Sequence, residues 1–261
     1  MAIELAPSAR SLPLARLARL ALLVLGAPLL GACNTFEMLD GASRIEGSGT
    51  VIEEARQVGD FTRIDVGGAI TADVTVGPDR ALTIRSDDNI LALYETVVQG
   101  ETLHIRPKAG SYAFQPTDGI HVTIAMPELQ GVVASGASTV AVDRVTVDDF
   151  DVEASGAAHV TIGTSTATDL SLNASGAAEI SVAGGTADAV VANLSGASSL
   201  DALDLKAERV TLDFSGTSHG QVNAIDALDV SLSGGSSACY AGKPADIESE
   251  VSGGASLDPC P

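Results

Sequence analysis

A nine-residue phrase that occurs twice decides the fold of this chain. ASGAAHVTI occupies Ala154–Ile162, and ASGAAEISV occupies Ala174–Val182. The Ser-Gly pair inside the phrase recurs in steps of 20 residues, followed by one step of 18 and one of 19. The pairs begin at Ser135, Ser155, Ser175, Ser195, Ser215, Ser233 and Ser252. A fixed period of this length indicates a repeat protein, in which each repeat is one structural unit.

Apolar and polar residues alternate at two places within each repeat. Counted from the Ser, positions 15, 17 and 19 are apolar, as in Leu170, Leu172 and Ala174, and so are positions 5 and 7, as in Ile180 and Val182. Alternation with a period of two indicates β-strands that bury one face. The Ser-Gly-Ala between these strands predicts a tight corner in which the glycine takes a positive φ.

Two or three short strands per repeat, joined by glycine corners, are typical of a parallel β-helix. We predict an all-β fold, namely a single parallel β-helix with rungs of about 20 residues and an irregular N-terminal β cap. Parallel connections are usually right-handed, and we expect the same hand here by analogy. A leucine-rich repeat would instead need Leu-x-x-Leu-x-Leu and an Asn ladder.

The domain is predicted over 57–261, with the cap and first turns in 57–128 and the repeat rungs in 129–261. Strands are predicted ahead of the rungs at Phe61–Val66, Ile70–Val76, Leu103–Arg106 and His121–Met126. Another strand is predicted after the turn in VGPDRALTI (Val76–Ile84), and one near Val51 within the tether. Asp88 is placed to cap a helix over Asn89–Thr96. Residues 110–119 are predicted to form a loop.

Residues 1–32 have the composition of an export signal. Three Arg residues precede the apolar run 20–30, which is too short to span a bilayer. Leu30-Gly31-Ala32-Cys33 follows and resembles a bacterial lipobox, in which the Cys is acylated and becomes the first mature residue. We predict a lipoprotein signal peptide over 1–32, lipidation at Cys33 and a tether over 33–56. The alternative is an ordinary signal cleaved near the Cys.

The mature chain is strongly acidic. The full sequence has a net charge of −20, and removal of 1–32, with three Arg and one Glu, brings it to −22. Such a surface repels nucleic acid and bare anionic lipid. We therefore expect attachment to the membrane through the lipid anchor and no nucleic-acid partner. Localisation is predicted at the bacterial cell envelope, on the outer membrane or the periplasmic face, with an unknown envelope protein or surface glycan as partner.

Cys239 and Cys260 lie 21 residues apart, which is about one repeat. Stacked rungs would bring the two residues close together, and the export signal implies an oxidising compartment. We predict a disulfide between them, with two free thiols as the alternative.

Several stretches together resemble the head GIN domain family, which is described as an auto-transporter adhesin. They are FTRIDVGGAITADVTVG (Phe61–Gly77), LHIRP (Leu103–Pro107), VTIAMPEL (Val122–Leu129), YAGKP (Tyr240–Pro244) and the Ser-Gly-Ala corners. The resemblance covers about Gln57–Leu257. It implies an extended β-helical envelope domain and brings no catalytic residues with it.

The row of Ser residues at the corners could be interpreted as nucleophiles or as structural hydroxyls. A nucleophile needs a base within hydrogen-bond reach. His159 and His219 share position 4 of the repeat but belong to turns three rungs apart, and His104 and His121 have no ligand spacing around them. We interpret the Ser row as structural and predict neither a metal site nor a cofactor.

Five carboxylates occupy positions 13 and 14 of successive repeats, and we call them the acidic edge. They are Asp148, Asp149, Asp169, Asp188 and Glu208. An acid–base cluster here would suggest a carbohydrate-active β-helix enzyme. Sugar clefts usually offer aromatic platforms, however, and this chain has three Tyr, five Phe and no Trp, with Phe150 and Phe214 on the inward pattern. We interpret the acidic edge as solvated, with weak cation binding at most.

The sequence thus favours a protein that is not an enzyme and that gives a rigid acidic surface for noncatalytic binding or adhesion. One alternative is a structural or signalling partner of other envelope proteins, and another is the carbohydrate-active enzyme. A groove lined by aromatic rings and convergent carboxylates would favour the enzyme, whereas a smooth flank of Ser, Thr and Asp would favour binding.

Overall fold

The computed structural model describes residues 43–108 and 112–261. The predicted signal peptide, Cys33 and the tether up to residue 42 lie outside these residues. The described part of the chain is almost entirely β-structure, as the alternation predicts.

The elements that precede the repeats are short. They are β1 (Ser43–Glu46), β2 (Val51–Ala55), β3 (Arg63–Gly68), β4 (Thr71–Val76), β5 (Ala81–Asp87), α1 (Asp88–Leu91), β6 (Tyr94–Gln99), β7 (Thr102–Pro107), β8 (Tyr112–Gln115) and β9 (His121–Met126). Several repeat strands are longer because they bend through a corner without a break. They are β10 (Gly131–Gly136), β11 (Thr139–Ala154), β12 (His159–Ala174), β13 (Glu179–Val182), β14 (Gly185–Leu194), β15 (Ser199–Phe214), β16 (His219–Leu232), β17 (Ser237–Gly242), β18 (Asp246–Val251) and β19 (Ser256–Pro259).

The repeat strands coil into a parallel β-solenoid of about six turns, which confirms the predicted fold. Each turn has three sides, and we name them from one turn: the first side is 159–162, the second 164–167 and the third 169–174. Each side pairs in register with the equivalent segment of the next turn. Examples are Val140↔Val160 on the first side, Ala167↔Ala187 on the second and Leu172↔Ala192 on the third.

The Ser-Gly pairs form the corner between the third side and the first. The glycines of all seven pairs have φ between 75° and 79°, so the predicted positive φ is confirmed. Successive corners stack closely, and the Ala177 N–H donates to the Gly156 carbonyl at 2.7 Å. A side chain at such a glycine would meet the corner below as well as an unfavourable backbone conformation.

The core is a column of small branched side chains inside the three sides. The predicted inward residues Leu170, Leu172, Ala174, Ile180 and Val182 are all buried. Phe150 and Phe214 are completely buried in the same column. In parallel, in-register stacking, each inward residue lies directly over its equivalent, so the sequence pattern translates into a continuous core.

A set of buried serines just after the corners was not predicted. Ser198, Ser218 and Ser236 stand at position 3, where other repeats have Ala158 or Ala178, and none of the three is exposed. Each hydroxyl donates to the carbonyl three residues before it at 2.9 Å. The hydrogen bond removes the cost of burying the hydroxyl and ties the inner side of the corner together.

One turn of the repeat is shorter than its neighbour. Ala202 pairs with Val222, but the next pairing joins Lys206 to Asn223, so residues 203–205 have no counterpart in the following turn. The following turn then has one extra residue, because two residues separate Ala224 from Ala227 and one separates Ala207 from Arg209. The third sides are again in register from Arg209↔Ala227 to Phe214↔Leu232. The 18-residue step in the sequence is therefore absorbed around the second side.

The N-terminal cap closes one end of the solenoid by an unusual chain order. β3 and β4 form a first turn, and β10 and β11 stack on one side of it. The later strands β7 and β9 stack in parallel on its other side. Antiparallel β6 and β5 then cover β7 and β9, and β2 pairs antiparallel with β5.

Two local predictions in the cap were wrong. The helix expected over Asn89–Thr96 ends at Leu91, and residues 94–99 form β6 instead. The β-branched run Thr96-Val97-Val98 favours a strand, and the free edge of β7 offers it a partner. The loop expected over 110–119 contains β8, which pairs with β1. In the predicted tether, the described residues 43–56 carry the two strands β1 and β2.

Candidate binding groove

The outward side chains on the first side of the last turns line a shallow groove of about 500 Å³. Most of them are small and polar. The outward residues that line it are Glu179, Ser199, Asp201, His219, Gln221, Ser237, Cys239, Ser256 and Asp258. Five strands contribute, namely β13, β15, β16, β17 and β19.

The solenoid places these residues in two columns. Position 4 of each turn stacks Glu179, Ser199, His219, Ser237 and Ser256 in register. Position 6 stacks Asp201, Gln221, Cys239 and Asp258. Neighbouring strands lie about 4.8 Å apart, so each column presents a polar group at that spacing along the groove.

Contacts within the groove fix several of these side chains. His219 Nδ1 lies 2.9 Å from Ser237 Oγ. At one end, His159 Nδ1 lies 3.1 Å from Glu179 Oε2. At the other end Cys239 forms the predicted disulfide with Cys260, with their Cα atoms 5.0 Å apart. The groove floor is thus held by the β-sheet and one flank by a covalent link.

The chemistry of the groove suits polar recognition. Its lining offers hydroxyl, carboxylate, amide and imidazole groups and contains no Phe, Tyr or Trp. Three Ser and two Asp residues fit the flank of Ser, Thr and Asp that was expected for binding, whereas Glu179, His219 and Gln221 depart from it. The groove was not predicted from the sequence, although the residues at positions 4 and 6 can be aligned through the repeat.

The acidic edge lies elsewhere, at the corner between the second and third sides. All five carboxylates are exposed, and Asp149 pairs in register with Asp169. Asp188 and Glu208 also lie in register in neighbouring turns, since Ala187↔Ala207 and Ala189↔Arg209 flank them. The column of Asp149 and Asp169 continues with Ala189 and Arg209 instead of further acids. Within residues 43–108 and 112–261 no three His, Cys, Asp or Glu side chains are grouped as metal ligands. Weak cation binding at this edge stays a prediction.

The four histidines are dispersed, as the repeat register predicts. His159 and His219 belong to the same column but are separated by Glu179 and Ser199. In the cap, His104 Nδ1 lies 2.7 Å from Asp65 Oδ2, and His121 Nε2 lies 2.8 Å from the carbonyl of Asp118. The Ser of each Ser-Gly pair lies at a corner, which fits the structural interpretation of that row.

The sequence profile described as "Putative auto-transporter adhesin, head GIN domain" matches residues 60–244. The chain belongs to this family. The match spans most of the cap and of the solenoid, and the resemblance inferred from the motifs is confirmed. Membership in this family supports an adhesion-like role at the cell surface or envelope.

Solved structures share the fold of this GIN domain. An adhesin from Bacteroides fragilis is 24% identical, with a TM-score of 0.78, and the match covers 83% of this chain and 100% of that one. A lipid binding protein from Parabacteroides distasonis is 21% identical, with a TM-score of 0.71 and coverage of 84% and 100%. An adhesin from Parabacteroides merdae is 18% identical, with a TM-score of 0.68 and the same coverage. The functions in these three names are provisional assignments. No curated protein matches the chain.

Two buried or bridging polar groups in the GIN domain were missed by sequence reasoning. Asp87 is completely buried in the cap and accepts hydrogen bonds of 2.8 Å from the Thr117 N–H, the Thr117 hydroxyl and the Gly49 N–H. The Thr117 backbone bond is the main cause that lowers the pKa of Asp87, and it acts against burial, which raises it. Asp87 thus joins three chain segments of the cap.

Arg63 spans one strand of the third side. Its guanidinium Nη2 lies 3.0 Å from Asp151 Oδ2, although β10 lies between the two residues. Gly131 makes room, because a Cβ there would lie 2.5 Å from the Arg63 Cζ. The ion pair therefore fastens the cap to the repeat rungs.

A bilayer-spanning helix needs about 20 apolar residues, and the described part of the GIN domain has no helix of that kind.

Proposed function

We propose that this protein is a lipid-anchored envelope protein that binds or adheres to a partner noncatalytically through the groove on the first side of its solenoid. The observation that supports this most directly is the pair of polar columns, which a rigid β-sheet holds at fixed spacing. A preorganised surface loses little conformational entropy on binding. Its chemistry fits an envelope protein or a surface glycan.

The anchor is part of the same proposal. Leu30-Gly31-Ala32-Cys33 has the pattern of an acylation site, and stable membrane attachment takes two or more lipid chains. The mature chain is too acidic to bind bare anionic lipid by itself. A lipid on Cys33 would tether the solenoid to a membrane and leave its sides free for a partner.

The anchor is tested by Cys33→Ser in the full chain, with Thr35→Ser as the matched control. We expect Cys33→Ser to move the protein from the membrane pellet to the soluble fraction and the control to stay in the pellet. A Cys33→Ser variant that remains in the membrane would show that the anchor is a different one.

The groove is tested by adhesion of beads that carry the mature chain to surfaces coated with envelope preparations. Ser199→Lys with Ser237→Lys fills the groove, and Thr146→Lys with Thr166→Lys adds the same charge to the exposed second side. We expect the groove variant to weaken binding about tenfold or more, which is about 1.4 kcal/mol, and the control to bind normally. Equal retention of both variants would contradict the groove as the binding surface.

A further inference from the structure

The C-terminal end of the solenoid has open strand edges, in contrast to the capped N-terminal end. In the part of the chain that the structure describes, β18 pairs only with β16 and β19 pairs only with β17. The other edge of each strand therefore presents backbone N–H and C=O groups without a strand partner. Such an edge is a template for an added strand.

Apolar side chains accompany this open edge. Ile247 and Val251 are in register with Leu228 and Leu232, which are buried in the core. In-register parallel stacking points all four side chains the same way. Ile247 and Val251 are nevertheless 43% and 46% exposed. With Ser249 between them, in register with the buried Val230, they form an inward, mostly apolar stripe that no strand covers in the described part of the chain.

The outward side chains of the same strand are acidic. Asp246, Glu248 and Glu250 alternate with the inward residues, and all three are exposed. The edge of β18 therefore combines three features over six residues: an apolar stripe, an acidic stripe and unpaired backbone groups. A strand that matches all three would alternate apolar and basic side chains.

A second copy of this chain does not match them. Head-to-tail stacking would bring the open edge to the capped end, where antiparallel β5 and β6 cover the parallel strands. A two-fold arrangement that pairs β18 antiparallel with itself would place acidic side chains opposite each other. Like charges directly opposite across a strand pair are destabilising.

We propose that the open edge of β18 binds an extended peptide segment in which basic residues alternate with apolar ones, as an added β-strand. The apolar side chains of the peptide would cover Ile247 and Val251, and its basic side chains would lie beside Glu248 and Glu250. Backbone hydrogen bonds would give affinity, and the alternation would give specificity. This edge is separate from the groove. The test of the edge can therefore fail while the test of the groove succeeds, and the reverse.

The test uses a fluorescent octapeptide of four Lys-Val units and the mature chain, with binding followed by anisotropy. Two control peptides are four Lys followed by four Val, which lacks the alternation, and four Glu-Val units, which has the opposite charge. We expect the Lys-Val peptide to bind at least tenfold more tightly than either control. Equal binding of the two Lys peptides would show charge attraction alone and would overturn the proposal.

Matched protein variants separate the edge from the general acidity of the chain. Glu248→Lys with Glu250→Lys should weaken Lys-Val binding at least tenfold and should allow the Glu-Val peptide to bind. Asp149→Lys with Asp169→Lys changes the net charge equally at a remote, exposed pair and should leave binding within twofold. Equal losses in both variants would contradict a site on β18.

The apolar stripe has its own pair of variants. Ile247→Ser with Val251→Ser should weaken binding of the Lys-Val peptide at least fivefold. Val97→Ser with Val191→Ser removes two side chains of similar exposure, 38% and 42%, in β6 and β14, away from the edge, and should have no effect. Light scattering gives the remaining outcome: a dimer that is broken by Ile247→Ser with Val251→Ser would show that a second copy covers the edge, and the proposal would be wrong.

Discussion

The ring of Phe214 fills the space that a side chain at Gly220 would need. A Cβ built on Gly220 would lie 2.4 Å from the ring edge, and both residues are buried in the core. Gly220 stacks between Leu200 and Ala238, so the other turns place a side chain at this position. The core therefore exchanges volume between the third side of one turn and the first side of the next.

This pairing predicts a specific rescue. Gly220→Ala should lower the free energy of unfolding by about 1–3 kcal/mol, because the added methyl overpacks the core. Phe214→Leu in the same chain should recover most of the loss, since Leu194 fills the equivalent place in the preceding turn. Denaturant unfolding of the single and double variants measures the coupling. Gly59→Ala, where a Cβ meets nothing within 4 Å, is the control and should be neutral.

The stacked corners predict that a corner glycine is more sensitive than an isolated one with the same φ. Gly176 has φ 79°, and its Cβ would lie 2.8 Å from the Gly156 carbonyl oxygen. Gly49 has φ 80° but open space around it. Gly49→Ala should cost about 1–2 kcal/mol from the left-handed backbone alone, and Gly176→Ala should cost more. Similar melting temperatures for the two variants would show that corner stacking adds nothing.

The disulfide predicts local stabilisation of the last turn. Linking Cys239 to Cys260 closes a loop of about one repeat, which contributes about 3 kcal/mol in the chain-entropy model. Cys239→Ser with Cys260→Ser should speed amide exchange in 246–259 and leave 159–174 unchanged. Alkylation of the unreduced native chain checks the bond itself: two modified thiols on these residues would rule it out.

The buried carboxylate of the cap predicts a dependence on pH. The hydrogen bond from the Thr117 N–H holds the folded-state pKa of Asp87 below that of an ordinary aspartate. Its charged form therefore stabilises the fold above about pH 4, and this contribution is lost as the pH falls through the folded-state pKa. Asp87→Asn should melt well below the wild type at pH 7, and the gap should narrow at pH 3. Asp148→Asn, at an exposed carboxylate, should show no such gap at either pH.

The repeat part of the fold could be predicted because its residues recur in register. The corner at Gly176 and the inward face of Leu170 and Leu172 follow from the local pattern and the 20-residue spacing. The 18-residue step was visible too, although its location at residues 203–205 was not. Because the same pattern occurs in several repeats, an exception at one position does not obscure it.

The cap could not be predicted in the same way. The strand that contains Thr96–Val98 depends on the free edge of β7. β7 and β9 follow β3 and β4 in the chain, yet they stack on the side of β3 and β4 that faces away from the later repeats. Likewise, the burial of Asp87 depends on Thr117 and Gly49, which are 30 and 38 residues away along the chain. Contacts that occur once and join distant residues leave no periodic trace.

The unmatched residues 203–205 have a practical consequence. The first side is in register before them and the third side after them, and Asn223 Nδ2 donates to the Leu203 carbonyl at 3.2 Å across the step. The solenoid can therefore change its perimeter at this corner while its pitch is unaltered. The corner after Ala202 is therefore a natural insertion point for a foreign loop. Loops inserted at the equivalent corners of successive turns would be displayed at intervals of about 4.8 Å along a rigid axis.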